Sequence, residues 1–272
     1  MTKKISAIAA QIRNRLGSRR PQLAIILGSG LGGLADKIEN PVTLPYREIN
    51  GFPQSTVSGH KGALICGTLA GTEVLCLQGR FHLYEGHHPS VINLVIKVLA
   101  ALGITGLIVT NAAGSCRPDM GAGSIMLIND HINFSGTNPL IGPNDNTLGP
   151  RFPDMSDAYS ADWRKKIHQL AKRSGINLYD GTYLMVTGPA FDTAAEIRAF
   201  QALGADAVGM STVPEVICAV HSGKKVLGLS VITNLGTGLK NGSQSHTETL
   251  AQAEKASAGL IRLVTDFVKE LN

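Results

Sequence analysis

Aromatic side chains are scarce in this chain, with a single tryptophan, and its 272 residues include only four cysteines. Cys66, Cys76, Cys116 and Cys218 show neither C-x-x-C spacing nor the density of a disulfide scaffold. They read as reduced thiols, which favours the cytoplasm. No apolar run is long enough to cross a bilayer. The basic residues Lys3, Lys4, Arg13, Arg15, Arg19 and Arg20 enclose no apolar core of signal-peptide length, so neither export nor a membrane anchor is expected. The formal charge of +5 is spread over short pairs such as Lys3-Lys4, Arg19-Arg20 and Lys224-Lys225, with no long basic run and no aromatic-interleaved stripe. That excludes a nucleic-acid groove and remains compatible with a small anionic substrate. Linkers, charge blocks and repeats are also lacking, so residues 1–272 read as one domain.

What is present is alternation. Apolar, β-branched runs occur at 23–27, 63–69, 73–78, 106–110, 124–128, 182–187 and 226–233. Helical spacing appears at 3–16, where Ile5, Ile8, Ala9, Ile12 and Leu16 share a face, and near 90–102, 161–174, 193–203, 213–222 and 246–271. This pattern predicts an α/β domain with a mixed, largely buried sheet and ligands at strand ends. The segment 134–160, rich in Gly, Pro, Asn and Asp, is long for a connection and reads as a functional or subunit-bridging loop. Capping-box patterns at Thr193-x-x-Glu196, Thr212-x-x-Glu215 and Ser245-x-x-Glu248 predict helix starts.

The stretch Gln78–Gly86 carries the strongest chemical signal. Arg80, His82 and Tyr84 recur with period two after an apolar run, so an extended chain would send all three to one face. Guanidinium and imidazole donors suit phosphate, and a phenol suits a sugar or a ring. Gly28-x-Gly30-x-x-Gly33 formally matches the dinucleotide fingerprint. Pro41 and Pro45 follow too soon for the required helix and second parallel strand. A Gly-rich turn presenting Ser29 and backbone N–H groups to one phosphate fits better, although Ser29 taken alone reads as a loop serine.

Further segments join these: Gly59-His60-Lys61-Gly62, Thr110-Asn111-Ala112-Ala113-Gly114, Arg151-Phe152-Pro153, Gly188-Pro189-Ala190-Phe191, Val208–Glu215 and Thr233-Asn234. In this order, from about residue 20 to the C-terminus, the set resembles the trimeric purine nucleoside phosphorylases. The resemblance implies a single α/β domain with a mixed, partly barrel-like β-sheet flanked by helices. It implies reversible phosphorolysis of a purine nucleoside, with phosphate as co-substrate and neither metal nor organic cofactor, in a homotrimer.

Residue by residue, it implies phosphate contacts from Ser29, His60, Arg80, His82, Ser211 and the backbone at Ala112. Phe191, Asp192, Val208 and Asn234 match base-binding positions, and Tyr84, Tyr183, Met210 and His246 match positions at the ribose. Tyr183 and Val208 read equally as core. Phe152 matches a phenylalanine that closes the neighbouring subunit's ribose site. Asn234, His82 and Asp192 are the catalytic candidates. Breaking the glycosidic bond leaves positive charge on the sugar and negative charge on the base, so an anion against the ribose and an amide donor at purine N7 are what the chemistry asks for. Asp192 stands where the family usually has glutamate, which leaves its reach to the base open. Glu85 is placed behind the phosphate. His87-His88 lacks a third metal ligand, His168 reads as solvated, and His221 is explained by the helix dipole at its end.

Asn234 and His246 favour 6-oxopurine nucleosides over a 5′-methylthioadenosine phosphorylase, the nearest competitor, with xanthosine and adenosine left open. A non-catalytic nucleoside-binding protein and a dehydrogenase are the readings from other classes.

Overall fold

A computed structural model describes residues 2–57, 61–239 and 246–271, the side chains of 246–250 and 255 excepted. Nine strands form one sheet in the order β2-β3-β4-β1-β5-β8-β7-β6-β9, and β9 returns to pair with β5. The strands are β1 Leu23–Ile26, β2 Glu39–Pro45, β3 Ala63–Leu69, β4 Thr72–Gln78, β5 Gly106–Ser115, β6 Ile125–Asn133, β7 Leu178–Met185, β8 Ala207–Gly209 and β9 Lys225–Leu235. The β5–β9 pairing closes β5, β8, β7, β6 and β9 into a five-stranded barrel, while β2, β3, β4 and β1 continue from β5 as an open sheet. The helices are α1 Thr2–Leu16, α2 Ser90–Ala101, α3 Ala161–Ser174, α4 Ala194–Ala202, α5 Val213–His221 and α6 His246–Lys269.

Burial follows from the periodicities. Ile5, Ile8, Ala9, Ile12 and Leu16 of α1 are buried and join α2 and α5 in one core on one face of the sheet. α3 and α6 cover the other face, with Trp163, Ile167, Leu260, Val264 and Phe267 packed on β1 and β9 residues such as Ile25 and Leu229. A smaller cluster joins Ile197 and Phe200 of α4 to Cys116, Leu184 and Val208. All four cysteines are free and buried.

β2 is a strand that the prolines argued against. It lies at the sheet edge, pairs only with β3, and carries an irregularity between Glu39 and Val42, and edges with bulges are where proline is tolerated. Because the glycine turn after β1 leads into the short 3-10 helix Gly32–Lys37 and then into β2, which lies at the far edge of the sheet and not beside β1, it opens no βαβ unit, and the dinucleotide-binding reading falls.

His221 ends α5 as expected, and it is also buried, at 4% exposure. It contacts Lys97 Nζ, and its Nε2 lies 3.3 Å from Asn144 Oδ1. Lys97 donates to Leu148 O at 2.5 Å and to Ser222 Oγ at 2.9 Å. Burial lowers the Lys97 pKa to about 8. These contacts moor the long 134–160 connection to α2 and α5, and so set where Phe152 emerges.

Candidate active site

β5 organises the site. Along one edge it pairs β1 over Gly106–Val109 and then β8 at Gly114–Ser115. β9 runs along its other edge from end to end. From beyond the β1 contacts to the first β8 contact, residues 111–114 border a cavity of about 520 Å³, at the point where the open sheet meets the barrel. Ligands favour such switch points.

At the N-terminal side of this interval lie the anion-binding candidates. Arg80 is 2% exposed. Its Nη1 donates to Thr110 O at 2.9 Å and to Ser211 Oγ at 3.0 Å, and its Nε donates to Glu215 Oε1 at 3.1 Å. The turn bearing Ser29 is held against β5 by Gly28 N–H donating to Thr110 Oγ1 at 3.1 Å. A Cβ on Gly28 would lie 2.6 Å from Asn111 Cα, so this approach requires glycine. Ser29, Arg80, His82, Ala112 and Ser211 all line the cavity.

Arg80, His82 and Tyr84 reach the cavity, but not as one extended face. β4 ends at Gln78, and Leu83–Glu85 is a 3-10 turn. The turn stacks the His82 and Tyr84 rings at 4.6 Å between centroids. Glu85 Oε1 lies 3.0 Å from His82 Nδ1 and accepts from His82 N–H at 2.8 Å. Its Oε2 accepts from Thr56 N–H at 2.7 Å and Thr56 Oγ1 at 2.8 Å. Burial alone would raise the Glu85 carboxyl, but these hydrogen bonds hold it down at about 2. A carboxylate on Nδ1 fixes the imidazole's orientation and tautomer. Burial lowers the His82 pKa, opposed by the Glu85 hydrogen bond.

At the C-terminal side are the base-reading candidates. Gly114 pairs Val208 of β8 and Asn234 of β9, which brings both residues to the cavity wall. Thr233 Oγ1 donates to Asn234 Oδ1 at 2.8 Å, and Asn234 Nδ2 donates to Leu235 O at 3.1 Å. An occupied carbonyl orients the amide, and its second N–H remains to be offered. Asp192 and Phe191 precede α4, whose Thr193–Glu196 capping box is made in full, Thr193 N–H to Glu196 Oε2 at 2.7 Å and Glu196 N–H to Thr193 Oγ1 at 3.2 Å. The rigid helix start fixes Asp192. Burial, opposed by a backbone hydrogen bond and aided by Glu196, raises its pKa to about 6. Thr110 and Gly114 are four residues apart on one strand, roughly 13 Å at the usual strand rise. Met210, Thr233 and Thr237 complete the wall.

The expected ribose contact of Tyr183 is corrected. The ring is fully buried, and a Cβ on Gly209 would meet its hydroxyl oxygen at 2.2 Å. It lies behind β8, accepting from Ser211 N–H at 3.4 Å. The Thr212–Glu215 capping box is also corrected, since Thr212 has φ 78° and makes no side-chain cap. Phe152 is 86% exposed and borders no part of its own chain's cavity, with the Arg151 guanidinium 5.7 Å from its ring centroid. His60 lies outside the described residues. His246 begins α6, and its side chain, like the Ser245–Glu248 pattern, is outside the description. No group of His, Cys, Asp and Glu suited to a metal occurs among the described residues, and no helix among them is long and apolar enough to cross a membrane.

Sequence reasoning missed Thr56, Thr110, Asn111 and Glu215 as parts of the site or its support. The last three sit inside segments already singled out, but their roles depend on side-chain direction.

Residues 22–269 match the model of the phosphorylase superfamily. The chain is 49% identical over 270 residues to purine nucleoside phosphorylase 1 of Bacillus subtilis (strain 168), covering 99% of each. It is 49% identical over 254 residues to purine nucleoside phosphorylase of Bos taurus, covering 91% of this chain and 88% of the other. Among solved structures, Schistosoma mansoni purine nucleoside phosphorylase in complex with inosine superposes with a TM-score of 0.94 at 37% identity, covering 99% of this chain and 97% of that one. The adenosine complex gives 0.94 at 38%, covering 99% and 98%.

Proposed function

Since the chain belongs to the purine nucleoside phosphorylases within the phosphorylase superfamily, we propose that it catalyses the reversible phosphorolysis of 6-oxopurine ribo- and deoxyribonucleosides. A purine nucleoside and phosphate give the free base and the sugar 1-phosphate. One observation carries the proposal: a single cavity runs along β5 from the guanidinium and hydroxyl groups of Arg80, Ser29 and Ser211 to the carboxyl and amide of Asp192 and Asn234.

In this reading, phosphate is held by Ser29, Arg80, His82, Ser211 and the Ala112 N–H, with His60 at its entrance. Its oxygen forms the new bond to C1′ as the C1′–N9 bond breaks. The phosphate charge faces the cationic sugar, and Asn234 donates to purine N7 as negative charge gathers on the base, so each group acts where charge develops. The Asp192 carboxylate accepts N1–H, and Phe191 and Val208 pack on the purine. Tyr84, Met210 and His246 take the ribose. Phe152 closes the site of the next subunit in a homotrimer. The reaction needs no metal or organic cofactor, and the enzyme works in the cytoplasm.

A spectrophotometric panel of inosine, guanosine, xanthosine, adenosine and 5′-methylthioadenosine, with and without phosphate, tests this. Phosphate-dependent release of hypoxanthine and guanine is expected. Base release independent of phosphate, or a preference for methylthioadenosine, would overturn it.

A further inference from the structure

The motif Thr212-x-x-Glu215 has the form of a capping box but is used for something else. Thr193 and Glu196 show what the motif does when it caps, with both reciprocal hydrogen bonds made at an exposed helix start. At α5 neither bond is present. Thr212 adopts φ 78° and ψ −53°, and Val213 N–H donates to Ser211 O at 2.9 Å, which closes a tight three-residue turn of the rare, strained kind. The turn delivers Thr212 Oγ1 to Asn111 Nδ2 at 2.9 Å on β5. Glu215, 4% exposed, is freed from the helix start and reaches Arg80.

We infer that Glu215 is a positioning residue for the phosphate end of the site, holding the plane of the Arg80 guanidinium so that its fork faces the cavity. The inference rests on the phosphate-binding assignment of Arg80 proposed above. Arg80 Nη1 is tied to Thr110 O and Ser211 Oγ, two contacts made through one nitrogen. The Nε contact to Glu215 Oε1 at 3.1 Å adds a second point of attachment, which defines the tilt of the plane. A planar, rigid donor set is useful to an anion only when its orientation is fixed.

Stability does not account for the pair. Glu215 Oε2 is buried with no hydrogen-bond partner among the described residues, and a buried ion pair with an unmet oxygen is a poor stabilising device. Attraction for phosphate does not account for it either, because a carboxylate beside an anion site weakens that attraction. What remains is the geometry that it imposes.

The test separates reach from charge in the full-length protein. Glu215→Gln keeps an acceptor oxygen at the same reach and removes the charge. Glu215→Asp keeps the charge and withdraws the oxygen by one methylene. We expect Glu215→Gln to hold KM for phosphate within about threefold of the parent and Glu215→Asp to raise it about tenfold or more, with KM for inosine within about twofold in both. The inference is overturned by a tenfold rise of the phosphate KM in Glu215→Gln, whatever Glu215→Asp does, and equally by a parent-like Glu215→Asp. It is also overturned if both Michaelis constants rise together with a lower melting temperature, the signature of a structural role. If Glu215→Asp does not fold, Glu215→Met, of similar length and unable to accept from Arg80 Nε, takes its place with the same expected rise and the same overturning result. A parent protein that releases base without phosphate would instead sink the proposed function. Phosphate-dependent turnover with an unchanged Glu215→Asp sinks this inference only.

Discussion

Lowering the pH through 6 should strip this site of the proposed preference for inosine over adenosine. Burial raises the Asp192 carboxyl to about 6. Above that value it is an ionised acceptor for N1–H of hypoxanthine. Below it, the protonated group becomes a donor, complementary to the bare N1 of adenine. The profile of kcat/KM reports the pKa values of the free enzyme, so the value in the empty site is the relevant one. At about pH 5 roughly a tenth of Asp192 remains ionised, and inosine kcat/KM should fall about tenfold from its plateau. Phosphate and His82 also titrate, but they act on both substrates and cancel in the ratio of inosine to adenosine. That ratio, followed spectrophotometrically from about pH 5 to about pH 8, should fall at least as steeply as inosine turnover itself. In Asp192→Asn it should be flat and shifted toward adenosine. A ratio constant within about twofold in the parent across this range would refute the assignment of Asp192 as the reader of N1.

Other perturbations bear on the remaining parts. Ser211→Ala should raise KM for phosphate and leave nucleoside binding intact, and Arg80→Ala should do so more strongly, a charged hydrogen bond being worth about 1.5–3 kcal/mol. Arg80→Ala also strands the buried Glu215 carboxylate, so thermal melting should register a loss of about 3–5 kcal/mol that Ser211→Ala does not show. Phe152→Ala should change the stability of the isolated chain by less than about 0.5 kcal/mol, as for exposed positions generally. It should still raise KM for nucleoside, with activity that depends on protein concentration, and a fully active monomer in sedimentation would contradict the shared site. Gly28→Ala places a Cβ against the backbone of Asn111 and should cost about 1–3 kcal/mol of stability, read by denaturant melts, together with weaker phosphate use as Ser29 is displaced.

Much of the frame was legible because periodicity reports burial directly. The run at 63–69 is β3 and the pattern at 161–174 is α3, residue for residue. β8 escaped because three residues, Ala207–Gly209, carry no measurable period. β2 escaped because Pro41 and Pro45 describe a bad central strand and an acceptable edge. The chemistry of the site was legible as residue types, since Arg80, His82, Tyr84, Asp192, Asn234 and Ser211 are found around one cavity. Direction was not legible. Tyr183 is buried against Gly209 of β8, Glu215 turns from its helix to Arg80, and Tyr84 arrives on a 3-10 turn; each depends on a neighbouring segment that one stretch of sequence does not contain.

The laddering of β5 has a consequence for how substrate choice can change. One strand runs past both ends of the cavity, and its far edge is bonded to β9 from Gly106 to Ser115 with one register shift between Ala113 and Gly114. An inserted or deleted residue between Asn111 and Gly114 would slide one end by roughly 3.3 Å and turn the following side chains to the opposite face. The pairing on both edges thus sets the spacing of the interval, and the groups around its ends are the ones freest to change. New base preferences should arise by exchange at Asp192 or Asn234, with the strand length held constant, and an engineered change of specificity has the best prospect at those same two positions.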